Sequence, residues 1–209
     1  MKYYVVISPN KLISKILKES KKIQSQVYGQ EGNEIYFRVK TGEKRDNPRR
    51  MFLKGDGRIV KAQVKPHISL VHNAEPKEQK LEEFFNEIDK IAGGFKKFYL
   101  EPDGIGNYNQ DFTFFLRFKN NDKIVDLRSK ILEASRKYLT EEEYRRYISV
   151  SFVPHITILY DDIDPEKVKK AQSLLNISQF KDPVLVDNVQ IWEAAVTDQK
   201  VVKQINLGG

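Results

Sequence analysis

The apolar positions along the chain follow two periods, one typical of helices and one typical of strands. A short apolar stretch over 2–7, ended by Ser8 and Pro9, predicts an opening strand. Four longer segments carry apolar residues every three to four positions, which predicts amphipathic helices. They are 12–27, 76–92, 122–138 and 165–175, with 141–146 as a charged helical turn.

Shorter runs with alternating or β-branched apolar residues predict further strands. They are 34–40, 58–64, 95–100, 112–118, 183–192 and 195–205. We expect 95–100 and 112–118 to pair through the Gly-rich stretch 104–107, and 41–56 to be a loop. Strands and helices mixed in this way, with hairpin-like pairs, predict an α+β fold.

Two segments repeat one pattern, Pro-His-apolar-hydroxyl-apolar, at 66–70 (PHISL) and 154–158 (PHITI). Side chains of a strand alternate between faces, so His and hydroxyl share one face while the apolar pair can be buried on the other. The first motif presents His67 with Ser69, and the second presents His155 with Thr157. The histidines are 155 − 67 = 88 residues apart, and each motif is followed by a predicted helix and two predicted strands. The order indicates a duplicated unit.

The paired histidines suit proton transfer at a phosphate ester. Imidazole has an unperturbed pKa of about 6.5, so it can accept or donate a proton near neutral pH. Two such rings can serve the attacking and the leaving oxygen. The two hydroxyls can donate hydrogen bonds to non-bridging phosphate oxygens. A single histidine in a strand is more often structural, whereas the pair favours catalysis.

The doubled motif resembles that of the 2H phosphoesterase superfamily, which includes bacterial 2′-5′ RNA ligase-like proteins and cyclic phosphodiesterases. The resemblance covers most of the chain. It implies one bilobal domain over 1–209, a pseudo-twofold duplicated unit with antiparallel sheets flanked by helices and a central cleft. It also implies His67 and His155 as the acid–base pair, and Ser69 and Thr157 as phosphate-binding residues.

By the same resemblance, the expected activity is a metal-independent phosphodiesterase. Its expected substrates are RNA 2′,3′-cyclic phosphate ends, 2′-5′-linked nucleotides or related cyclic nucleotides. The alternative is a protein that binds RNA or nucleotides in the same cleft without turnover. One departure concerns the stretch before the first motif, which is longer than such proteins usually have and contains a basic insertion at about 38–66.

The excess of positive charge in the chain is concentrated in this insertion. It holds ten Lys or Arg and three acidic residues, an excess of +7 that equals the net charge of the whole protein. A polyanionic ligand fits such a patch, although a solvated loop fits equally well. The chain has no cysteine and no His-Glu-x-x-His spacing, so we expect no metal and no cofactor. Without a signal sequence or a long apolar run, a cytoplasmic protein with no membrane contact is expected.

Other side chains beside the motifs are weaker candidates. Phe152 and Tyr160 flank the second motif and could stack on a base, although aromatic residues beside strands more often belong to the core. His72 lies five positions after His67 and would face away from it if the strand continues. The neighbouring pair at 145–146, both Arg, could approach a phosphate or belong to a solvated face.

Overall fold

The computed structural model describes residues 1–30, 37–42, 55–62, 64–108, 113–161, 163–194 and 199–208. Its strands are β1 (Tyr3–Ile7), β2 (Phe37–Lys40), β3 (Ile59–Ala62), β4 (Ile68–Ala74), β5 (Phe98–Leu100), β6 (Pro102–Tyr108), β7 (Thr113–Phe118), β8 (His155–Asp161), β9 (Val184–Val186), β10 (Asn188–Glu193) and β11 (Lys200–Asn206). Its α-helices are α1 (Asn10–Tyr28), α2 (Leu81–Gly93), α3 (Asp122–Ser135), α4 (Glu141–Ser149) and α5 (Pro165–Ser173).

The predicted helices are confirmed within a few residues, and their ends have local causes. The Asn121 side chain accepts a hydrogen bond from the Ile124 backbone at the start of α3. Thr140 and Glu143 form a capping box at the start of α4, so the segment predicted as a charged helical turn is a full helix. No helix in the described ranges is long and apolar enough to cross a membrane.

The strands form two larger sheets and one small one. The first has the order β11-β10-β1-β4, with all neighbours antiparallel. The second has the order β3-β2-β8-β7-β6, and its pairing is antiparallel except between β2 and β8. The third consists of β5 and β9. The first motif strand therefore lies at a sheet edge, whereas the second lies inside a sheet.

Each larger sheet is covered by helices on one face. The helices α2 and α3 pack against the first sheet, and α1 and α5 pack against the second. The apolar residues of both motif strands, including Ile68 and Ile156, are fully buried in one cluster that contains strands of both sheets. The α+β class is confirmed, and the outline of two lobes around a cleft stays a prediction.

The order of elements is the same in the two halves of the chain. Apart from inserted elements, the first half runs β1-α1-β4-α2-β5-β6 and the second runs β7-α3-β8-α5-β9-β10, with α4 inserted before β8 and β11 following β10. The last strand of each half pairs with the first strand of the other, β6 with β7 and β10 with β1. The hairpin β2–β3 is inserted only in the first half, and it extends the sheet of the second motif.

The expected pairing of 95–100 with 112–118 is wrong. The strand β5 pairs with β9, and β7 pairs with β6, which runs through the predicted connection. Two glycines make β6 a poor strand by propensity. At Gly106, however, a side chain would overlap the ring of Phe115 on the neighbouring strand, so close packing requires glycine there. The predicted strand 183–192 is likewise divided at Asp187 into β9 and β10.

The basic insertion is anchored by a buried ion pair. The Arg38 guanidinium on β2 lies 2.8 Å from the Asp161 carboxylate, which is fully buried at the end of β8. The Tyr28 hydroxyl donates to the same carboxylate at 2.7 Å. Arg38 therefore holds the hairpin to the sheet, and Arg58 pairs with Asp56 in the same insertion. The predicted loop 41–56 falls largely on 43–54, which lie outside the described residues, as does 63.

Candidate active site

Both motif strands contain the same irregularity directly after the hydroxyl residue. In β4, Ser69 and Val71 pair with adjacent residues of β1, so Leu70 between them is an extra residue. The second motif has the same bulge at Ile158. A bulge re-aims the side chains that follow it. The repeated geometry therefore extends beyond the four residues that the sequence pattern predicts.

The two motif histidines are held in the same way. The Nδ1 atom of His67 lies 2.9 Å from the backbone oxygen of Lys65, and that of His155 lies 2.7 Å from the backbone oxygen of Val153. A carbonyl oxygen can only accept, so Nδ1 carries the proton in each ring. In the neutral imidazole, Nε2 is then the atom that can accept a proton.

We expect the rings of His67 and His155 to belong to one site. Their strands β4 and β8 contact each other, although they belong to different sheets. Burial lowers the pKa of His67 to about 4, and the charge of His155 contributes to that shift. Burial also lowers the pKa of His155. The contact between β4 and β8 supports the expectation that the two histidines lie close together.

The His67 side of the site is closed by a tryptophan. The ring of Trp192 lies 4.8 Å from that of His67, edge to face, and Trp192 is 0% exposed. Its Nε1 donates to the Gln190 side chain at 2.8 Å, and Gln190 donates to Gln204 at 2.9 Å. Trp192 is therefore a core residue that also contacts His67.

The His155 side is built from a stacked pair of aromatic rings. Phe115 lies 4.7 Å from the His155 ring, and Tyr108 stacks on Phe115 at 4.3 Å. Tyr108 also meets His155 edge to face at 5.1 Å, yet it is 39% exposed. The sequence did not indicate Tyr108 as a site residue, because the end of β6 was predicted to belong to a connection between strands. Only the pairing of β6 with β7 places it beside the histidine.

The two expected base-stacking residues differ in how far their rings are covered. Tyr160 is 5% exposed and stacks at 5.1 Å on Phe37 of the inserted hairpin, within a small second core cluster. The guanidinium of Arg128 lies 4.6 Å from the centre of the Phe152 ring. The burial of Tyr160 contradicts its expected stacking role, whereas the role expected for the half-buried Phe152 stays a prediction. The exposed aromatic ring beside the second motif is that of Tyr108.

His72 does not face away from the first motif. Its ring lies 6.4 Å from that of His67 and 4.8 Å from that of Tyr4. The expectation assumed an uninterrupted strand, but the extra residue at Leu70 shifts the alternation before His72. The Tyr147 hydroxyl accepts from the His72 backbone N–H and donates to the His72 carbonyl at 3.2 Å.

The basic residues close to the site differ in their partners. Arg117, which pairs with His155 across the strands, forms a 2.9 Å ion pair with Asp103. Arg145 lies 3.2 Å from Glu141, whereas Arg146 makes no ion pair with a described residue. Within the described ranges, no three His, Asp or Glu side chains are grouped closely enough to hold a metal ion.

The geometry thus offers two imidazoles whose Nε2 atoms form no hydrogen bond with a described residue and, on the same faces, the half-buried hydroxyls of Ser69 and Thr157. Such a site can accept a proton at one ring and, once the other is protonated, return one there. The hydroxyls can donate to an anion held between the rings.

The comparison with known proteins agrees with the chemistry that these residues permit. A model of the 2′-5′ RNA ligase superfamily matches residues 49–198, which is most of the chain and includes both motifs. The chain is also 24% identical over 151 residues to the RNA 2′,3′-cyclic phosphodiesterase of Thermotoga maritima. That alignment covers 71% of this chain and 76% of the relative.

Solved structures share the fold over the whole chain. TT0787 of Thermus thermophilus superposes with a TM-score of 0.61 at 14% identity, covering 100% of this chain and 99% of that one. E. coli LigT complexed with 3′-AMP gives a TM-score of 0.56 at 13% identity, covering 100% and 98%. At these identities the likeness concerns the fold alone.

Proposed function

Because the chain belongs to the 2′-5′ RNA ligase superfamily, whose members are 2H phosphoesterases, we propose that it hydrolyses RNA 2′,3′-cyclic phosphate ends without a metal. The protein is a phosphoesterase enzyme that acts on RNA or nucleotides. The finer proposal concerns the cyclic substrate and the two histidines. Its main support is the matched pair of imidazoles, each with Nδ1 bonded to a backbone oxygen and Nε2 left for chemistry.

In the proposed reaction, His67 and His155 handle the two protons of one displacement at phosphorus. The Nε2 atom of one ring accepts a proton from the attacking water, and a bond forms between the water oxygen and phosphorus. The other ring, protonated beforehand, donates its proton to the ribose oxygen that leaves. Ser69 and Thr157 donate hydrogen bonds to the non-bridging oxygens, where the charge lies. The product is a phosphate monoester.

The lowered pKa values of the two histidines are compatible with one ring acting as the acid only when the substrate is bound. Both rings are largely neutral in the free protein near neutral pH, since burial disfavours the charged form. A bound phosphate anion favours protonation of the ring beside it. The substrate itself therefore helps to create the acid. We expect a bell-shaped dependence of rate on pH, and a flat profile between pH 5 and 8 would contradict two imidazoles in the rate-limiting step.

The substrate class is supported by the Thermotoga relative, which is named for RNA 2′,3′-cyclic phosphate. The test is a panel of 2′,3′-cyclic mononucleotides, 2′-5′ oligoadenylate and ADP-ribose cyclic phosphate, assayed with excess chelator. We expect hydrolysis of the 2′,3′-cyclic compounds to persist in chelator. Loss of activity on chelation would overturn the metal-free mechanism. Activity on only the 2′-5′ oligoadenylate or only the ADP-ribose cyclic phosphate would overturn the proposed substrate class.

The alternative is a protein that binds RNA in this site without turnover. The double variant His67→Ala with His155→Ala separates the two functions. We expect it to lose hydrolysis and to keep RNA affinity within a few-fold of the wild type. A wild-type protein that binds RNA tightly but is inert on the whole panel would favour the binder.

A further inference from the structure

The proposed reaction uses two of the three histidines and leaves His72 without a role. Its ring lies 6.4 Å from that of His67, on the same side of β4, and its Nε2 is buried. No protein group of the described residues forms a hydrogen bond with that Nε2. Buried polar atoms normally have partners, so an unpartnered one beside a reaction centre indicates contact with a ligand.

The position of His72 is fixed from two sides. The Tyr147 hydroxyl bonds both backbone groups of His72 on the open edge of β4, in the place where another strand would pair. The Tyr4 ring lies against the imidazole at 4.8 Å. Arg128 supports this clamp because it donates to the Tyr147 carbonyl at 3.2 Å. Such a fixed ring can make a directional hydrogen bond.

The standing charge that acts on His72 is that of Arg146. It lowers the pKa of His72, as burial does more strongly, and His67 and His155 lower it further when they are protonated. Arg146 is exposed, follows Arg145 on α4, and directly precedes the clamping Tyr147. It makes no ion pair with a described residue, although Arg145 beside it does. Because Tyr147 forms hydrogen bonds with the His72 backbone, the preceding Arg146 on the same helix is held near that imidazole, and we expect an anion beyond His67 to meet both.

We propose that His72 and Arg146 form a second phosphate subsite beside the reacting phosphate, on the His67 side. This inference rests on the proposed function and names its preferred substrate: an RNA end whose terminal nucleoside also carries a 5′-phosphate, rather than a mononucleotide with a free 5′-hydroxyl. His72 contributes an N–H donor, and Arg146 contributes the charge.

The test compares uridine 2′,3′-cyclic phosphate with its 5′-phosphorylated form. We expect the wild type to show a kcat/KM about tenfold higher for the 5′-phosphorylated compound, the size of one charge-assisted contact. The ratio should fall towards one in Arg146→Gln and in His72→Phe, which retains an aromatic ring against Tyr4. The control is Arg145→Gln, which removes the neighbouring cation and should keep the wild-type ratio.

A wild-type ratio near one would overturn the subsite, as would an unchanged ratio in both Arg146→Gln and His72→Phe or an equal loss in Arg145→Gln. If the wild type turns over neither compound, the proposed function fails and binding still tests the subsite. Calorimetry would then compare adenosine 3′-phosphate with adenosine 3′,5′-bisphosphate. Tighter binding of the bisphosphate that is lost in Arg146→Gln supports the subsite, and equal affinities refute it.

Discussion

The two halves of the candidate active site share their motif geometry and differ in the residues that enclose it. Each has a bulge after the hydroxyl and an imidazole bonded to a carbonyl two residues earlier. Trp192 on β10 and Tyr108 on β6 occupy comparable places beside the two histidines, yet the first is 0% and the second 39% exposed. The comparison teaches that a repeated motif supplies equal chemistry, while flanking strands decide access.

The position five residues after each histidine shows the same divergence. On the second motif this is Tyr160, which is covered by Phe37 of the inserted hairpin. On the first motif it is His72, on a strand edge that no hairpin of the described residues covers and where the Tyr147 hydroxyl forms hydrogen bonds instead. The insertion thus buries one of two equivalent positions and leaves the other beside His67.

The largest expected effect tests whether the two halves carry equal chemical roles. His67→Asn and His155→Asn should each lower kcat by about 10²- to 10⁴-fold, the range of general acid–base catalysis. With an activated leaving group such as 4-nitrophenol, one variant should recover, because a good leaving group needs no acid. Steady-state kinetics on both substrates identify the acid. Recovery of both variants, or of neither, would contradict the division of roles.

The next effect concerns the closed side of the site. Unfolded histidine binds a proton near pH 6.5, whereas the pKa is about 4 at His67 and about 3 at His72 in the folded protein. The unfolded state therefore binds more protons as the pH falls below 6.5, and stability is lost. At pH 5 the loss is about 2 kcal/mol for each ring.

Urea unfolding of the wild type and His72→Phe at pH 7 and pH 5 checks this expectation. The variant should lose less stability than the wild type between the two pH values, since it lacks one of the titrating rings. Parallel losses in the two proteins would show that burial of His72 does not perturb its protonation.

The open side should affect substrate binding more than chemistry. Tyr108→Ala should raise KM about tenfold with kcat nearly unchanged, because stacking of one base is worth about 1–3 kcal/mol. Tyr108→Phe should retain wild-type KM. Tyr99→Ala is the control. Tyr99 is 61% exposed on β5, and its ring packs against neither His67 nor His155. Equal effects of the two alanine variants would refute a base platform at Tyr108.

The smallest effect concerns the edge of β4. Tyr147→Phe removes the hydroxyl that bonds both backbone groups of His72 and should cost about 1–2 kcal/mol in the free energy of unfolding. Tyr144→Phe on the same helix removes only an exposed bond to Glu133, so its cost should stay below about 0.5 kcal/mol. Urea titrations compare them, and equal costs would show that the clamp contributes no more than a surface contact.

The sequence by itself determined the features that depend on local periodicity. Alternation within five residues identified His67, His155 and their hydroxyl partners, because strand side chains change face at every residue. The helical period placed α1, α2, α3 and α5, and the mixture of elements predicted the α+β class. These signals depend only on residues close together in the sequence, so they can be recognised without knowledge of tertiary contacts.

Only the tertiary structure decided which elements meet. The bulge at Leu70 depends on pairing with β1, and it moved His72 to the side of His67. The pairing of β6 with β7 placed Tyr108 in the site, and packing of the inserted hairpin buried Tyr160. Strand partners, bulges and burial arise from residues far apart in the chain, and the pKa values follow from that burial.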